Sequence, residues 1–198
     1  MGSHFTKWTP PMRPPLENCK VSDFLQLNTR LTPTHETSVE VWWDDRRLFV
    51  HALCESSHIP AVQKPRDSPL FHGECFEIFI AELGKAHYFE FQGDAAGSVY
   101  DSKVPSFEEN DRWREWSKWD CGGVTYTADI LQDYGWEGFW TIPWRSLDMS
   151  AHSEKRMKFC RIAELGPSGQ LEYSSWPFSE SCFDEPHSWG SLSTNQKP

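Results

Sequence analysis

The sequence predicts an all-β fold: an antiparallel sandwich in a single domain. Three observations predict it. Short apolar runs alternate with period two, and few windows show the 3.6-residue period of a helix. Turn signals separate the runs at hairpin spacing. The chain has 198 residues, which suits one well-filled core and is short for two.

The elements follow in order. Residues 1–18, rich in Pro and polar groups, read as an extended arm, and 19–198 as the domain. "DFLQLN" is a short strand or a helical turn. "SVEVWWDD" and "RRLFVHALCES" form a hairpin around Asp44–Arg47. "ECFEIFIAE" and "AHYFEFQGD" pair around "LGK". "GGVTYTADILQ" and "WEGFWTIPW" follow with "DYG" between them, and "RMKFCRIAEL" and "QLEYSSWPF" close the set around "GPSG". "SFEENDRWREWSKWD" is a helical turn or a loop. Its Trp113, Trp116 and Trp119 fall at a three-residue spacing that reads as a packing stripe, with a binding stripe as the alternative.

Composition narrows the function. The net charge is -10 and the pI about 5.2. Duplex binding needs clustered Lys and Arg on phosphates, so nucleic acid is not an expected partner. Eleven Trp, thirteen Phe and five Tyr exceed what a core of this size needs, which leaves flat rings for a binding face. No apolar run approaches the roughly 18 residues of a membrane span. No signal-peptide pattern opens the chain, so the cytoplasm is the expected location. Oligomeric state is not legible. Six cysteines, with no CxxC and no zinc spacing, read as free buried thiols.

One strand stands out. In "ECFEIFIAE", Phe76, Ile78 and Ile80 point one way, while Cys75, Glu77 and Phe79 point the other. In "YFEFQ", Phe89 and Phe91 oppose Tyr88, Glu90 and Gln92. If the phenylalanines face the core, Glu77, Glu90 and Gln92 share the outer face. Burying them without partners would cost a few kcal/mol each. They must meet water, a cation or a ligand.

Five stretches, in order, resemble carbohydrate-binding module family 9 and its stand-alone family 9-like relatives, within the wider DOMON-like β-sandwich group. They are "VWWDDRRLFVHA", "RDSPLFHGECFEIFIA", "YFEFQGDAAGSVYD", "WTIPWRSL" and "SSWPFSESCFDEPHSWGSL", and together they span about residues 20–192. The resemblance implies a jelly-roll-like sandwich that binds a mono-, oligo- or polysaccharide without cleaving it. Two loop aromatics clamp the sugar, and polar side chains bind its hydroxyls. Carried over, the clamp falls on Phe71 and Phe183, where the family has tryptophans. Glu77 matches the hydroxyl-binding carboxylate, Gln92 a polar contact on the next strand, and Arg161 an Arg of the stand-alone relatives. The resemblance also implies structural calcium. Asp44, Asp45, Asp67, Glu74, Asp94 and Asp101 sit near turns as oxygen donors, with plain solvated turns as the alternative.

Other readings stand beside this one. Glu77 could be half of an ion pair with Arg161 or Arg66, and Phe71 a loop anchor. A protein-interaction module, a haem-binding DOMON-type domain using Met157 with His51, His72 or His87, and a small glycoside-acting enzyme using Glu77 and Glu90 are the alternative functions. No nucleophile–base set is readable, so no catalytic residue is assigned.

Overall fold

Four hairpins predicted from the turn signals build two antiparallel sheets. The computed structural model describes residues 19–60, 62–106, 112–181, 183 and 188–192. The predicted arm, residues 1–18, and Cys182 lie outside them. The strands are β1 (Cys19–Val21), β2 (Leu25–Gln26), β3 (Thr37–Trp43), β4 (Arg47–Glu55), β5 (Cys75–Glu82), β6 (Tyr88–Gly93), β7 (Val99–Val104), β8 (Thr125–Leu131), β9 (Gly135–Pro143), β10 (Lys155–Glu164), β11 (Leu171–Trp176) and β12 (Gly190–Leu192). A helical turn, α1, covers Trp113–Trp116, and a 3-10 turn covers Trp144–Leu147.

One sheet has the order β1-β3-β4-β9-β8, and the other β2-β11-β10-β5-β6-β7, with β12 also paired to β10. The molecule is an all-β sandwich. Its core collects one face of each sheet. Val39, Val41, Leu48, Val50, Trp136 and Trp140 come from the first sheet; Phe76, Ile78, Ile80, Phe89, Phe91 and Phe159 come from the second. This is the face split that the period-two reading gives for β5 and β6.

The β3–β4 turn is held by its own side chain, since the Asp44 carboxylate accepts the Arg46 and Arg47 N–H groups, each at 2.7 Å. Such Asx geometry is why Asp favours turns. "DFLQLN" contributes β2, a short edge strand. Trp119 packs on Phe89 with ring centroids 4.9 Å apart, and Trp116 packs beside Phe79 and Tyr88, so both serve as packing residues. Met157 lies in the core, whereas His51 pairs with Glu137 on the outer face of the other sheet; the two do not meet as haem ligands.

β7 is the long strand that the sequence pattern hides. Asp101 and Ser102 sit in its middle and weaken its β-signal. Both are fully buried. The Asp101 carboxylate accepts the Cys121 N–H at 2.6 Å and a guanidinium N–H of Arg66, which makes its burial tolerable.

At Gly93 on β6, rings from the first sheet leave no room for a side chain. A Cβ there would lie 2.5 Å from the Tyr126 ring and 2.6 Å from Trp140. Gly93→Ala should therefore overpack the core and lower stability by about 2 kcal/mol, measured as a drop of several degrees in thermal melting.

Candidate functional site

The outer face of the second sheet carries the polar residues the sequence singled out. Glu77 on β5 is directly opposite Gln92 on β6 and Cys160 on β10. Gln92 in turn is opposite Tyr100 on β7. The row Cys160–Glu77–Gln92–Tyr100 thus crosses four strands. Glu77 and Gln92 are buried, at 2% and 0% exposure, because loops cover this face.

The Gln92 amide nitrogen donates to Glu90 at 2.5 Å, and its oxygen accepts the Leu70 N–H at 3.2 Å. Ser102 donates to the other Glu90 oxygen at 3.3 Å. Gln92 therefore pins the loop before β5 onto the sheet, one residue from Phe71. Burial and then the nearby Glu90 charge push the Tyr100 phenol well up. Burial and then Glu77 do the same to the Cys75 thiol.

Phe71 and Phe183 come from loops over 100 residues apart in sequence, yet both pack half-buried on one cluster: Leu70, Cys75, Tyr100 and Ile162. Phe183 also contacts Tyr173, with ring centroids 6.1 Å apart, and Phe71 stacks at a tilt on His72 at 4.4 Å. Tyr173 and His72 are exposed. Tyr173 was not singled out by the sequence, though its alternation in "LEYSSW" places it opposite Ile162 on this face. Lys158 is a second unforeseen member. Its fully buried ammonium donates to Ser188 at 2.8 Å and to Ser179.

Arg161 is not brought to this group. It pairs with Phe76 across β10 and β5, so its side chain turns toward the core. There it forms a buried ion pair with Glu74, donates to the Cys75 carbonyl at 3.1 Å, and lies 5.3 Å over the Trp136 ring. Glu74 also accepts from Trp136 at 2.8 Å and from the Glu164 N–H at 2.6 Å. The parity of the strand decides this: Cys160, its neighbour, already faces Glu77.

The acidic turn residues divide by task. Asp44 and Asp94 hold their own turns; Asp94 accepts the Ala96 and Ser98 N–H groups at 3.0 and 2.9 Å. Asp67 and Asp101 join Asp120 in a trio whose oxygens lie within 4.8 Å of one another. Arg66 enters that trio, donating to Asp120 at 2.9 Å and to Asp101, with Asp67 at 3.8 Å. The guanidinium supplies the counter-charge, so a divalent cation would have to displace it.

Solved structures share this fold at low identity. A carbohydrate-binding protein candidate from Bacteroides uniformis ATCC 8492 superposes with a TM-score of 0.66 at 17% identity, over 90% of this chain and 86% of that one. A family 9 carbohydrate-binding module from Caldicellulosiruptor kristjanssonii, solved in complex with glucose, superposes with a TM-score of 0.59 at 14% identity, over 87% of this chain and 83% of that one. No protein-family profile matches the sequence, and no curated protein does. The chain has a family 9-like fold.

Two outcomes follow from the buried charges. Glu74→Gln leaves the Arg161 guanidinium without its carboxylate in the core and should cost about 3–5 kcal/mol in denaturant unfolding; pairing it with Arg161→Met should restore much of that. Burial raises the Asp101 carboxyl from 3.8 to about 6. The fold therefore binds this proton more tightly than the unfolded chain does, and the group adds stability as pH falls from about 6 toward 4. Carboxyl NMR should give a midpoint near 6, and Arg66→Met, which removes a charge that lowers it, should move the midpoint higher.

Proposed function

We propose that the chain is a non-catalytic carbohydrate-binding module. One observation carries the reading. Phe71 and Phe183, from separate loops, rest half-buried on a single cluster at one end of the outer face, and the strands under that face hold the buried Glu77 and Gln92. A sugar has apolar C–H patches and a rim of hydroxyls. Rings stack on the first, and carboxylates and amides hydrogen-bond the second. The fold shared with carbohydrate-binding proteins supports the reading, and the glucose complex of the family 9 relative makes a glucose-type unit the first ligand to try.

In this reading Phe71 and Phe183 form the stacking surfaces, extended by the exposed Tyr173. Glu77 accepts hydroxyl hydrogen bonds. Gln92, whose amide is engaged by Leu70 and Glu90, acts as a positioning residue that fixes the loop bearing Phe71. Arg161 takes no part in contact and serves the same loop from below through Glu74.

The test is a glycan array followed by calorimetry on any hit. Phe71→Ala and Phe183→Ala should each weaken binding by about tenfold or more, as expected for a stacking contact of about 1.5 kcal/mol. Glu77→Gln should weaken it with the melting temperature as a folding control. A blank array, or binding indifferent to both phenylalanines, would sink the proposal.

A further inference from the structure

A second cleft lies at the far end of the sandwich. The Phe71 loop adjoins the start of β5, opposite Ile162 on β10. The other cleft adjoins the start of β10 at Lys155, about seven residues or roughly 23 Å of strand away. It has a volume of about 670 Å³ and is lined by the β3–β4 turn, the 3-10 turn and the loop before β10, with Arg46, Arg47, Arg145 and His152 in its wall.

The charge here runs against the rest of the molecule. The chain carries a net charge of -10, yet three arginines converge on this cleft. None of the three makes an ion pair among the described residues. The one carboxylate among the described lining residues, Asp45, lies 3.4 Å from His152. Behind the wall sits a fourth cation. Lys155 is 1% exposed; its ammonium donates to the Ser153 carbonyl at 2.6 Å and the Ala151 carbonyl at 3.2 Å, and lies 4.6 Å over the Trp144 ring. Glu82, opposite it on β5, is the carboxylate whose charge reaches it. Burial pulls its pKa down to about 8, so it is still mostly charged at neutral pH.

The arginines are carried on a fixed frame. The Trp144 N–H donates to the Arg46 carbonyl at 3.0 Å, and its indole donates to the Asp44 carbonyl at 3.0 Å. These bonds lace the turn bearing Arg46 and Arg47 to the segment bearing Arg145. Guanidinium groups carried on such a backbone match the oxygens of carboxylates and phosphates.

We propose that this cleft binds a small oxyanion-bearing ligand, a carboxylate or a phosphate ester, gripped by Arg46, Arg47 and Arg145. The site is separate from the saccharide surface and stands whether or not that surface binds sugar.

Calorimetry with the full chain at fixed ionic strength tests it, using inorganic phosphate and glucuronate as probes and glucose as the uncharged control. Binding of either anion, weakened at least tenfold by Arg47→Gln combined with Arg145→Gln and unchanged by Phe71→Ala, supports the site. Phosphate alone points to a phosphate ester, and glucuronate alone to a carboxylate. The substituted arginines are exposed, so folding should hold; equal melting temperatures check it. Absence of binding by both anions, loss with Phe71→Ala instead, or an equal loss with Lys20→Gln on the distant β1 strand overturns it.

Discussion

A single buried ion pair organises the end of the molecule where the candidate saccharide site lies. Glu74 is the last residue of the loop that carries Phe71, and it enters the sandwich beside Arg161. From there it reaches β9 through Trp136 and the end of β10 through the Glu164 amide. Two sheets and one loop thus meet on one carboxylate. Taking such charges out of water is costly, and the cost is met only because each oxygen is engaged. The loop that presents Phe71 is fixed from inside the core by Glu74 and from the outer face by Gln92. A ligand stacking on Phe71 would meet a surface already ordered, which reduces the entropy lost on binding.

Much of this was legible in the sequence, for a simple reason. Alternation in "ECFEIFIAE" and "YFEFQ" separates core from outer face because side chains in a strand alternate strictly. The four hairpins were legible because their turns carry Asp, Gly or Pro. Parity also shows where the reading stopped. Arg161 follows Cys160, and only the register of β10 against β5 tells which of the two faces Glu77. That register is a long-range fact, set by strands about 80 residues apart in sequence. β7 escaped notice because its middle residues are polar, and their partners, Arg66 and Cys121, are remote. Tyr173 lay within a visible alternation, but nothing local ties it to Phe183.

The two ends of the sandwich differ in electrostatic character. Around Phe71 and the floor beneath it, charges are engaged: Glu90 by Gln92 and Ser102, and Glu74 by Arg161. At the opposite end, the arginines stand in solvent on a laced frame while their lysine is hidden behind them.

The cysteines have a consequence of their own. Cys19, Cys54, Cys75, Cys121 and Cys160 are free, and all but Cys19 are buried. Burial pushes Cys54 and Cys121 up to about 12. Since the thiolate is the reactive form, burial disfavours reaction at those two sulfurs near neutrality. They would behave alike in a reducing or an oxidising medium, acting as small apolar packing groups. Among the buried, described thiols the fold itself is the protection against oxidation.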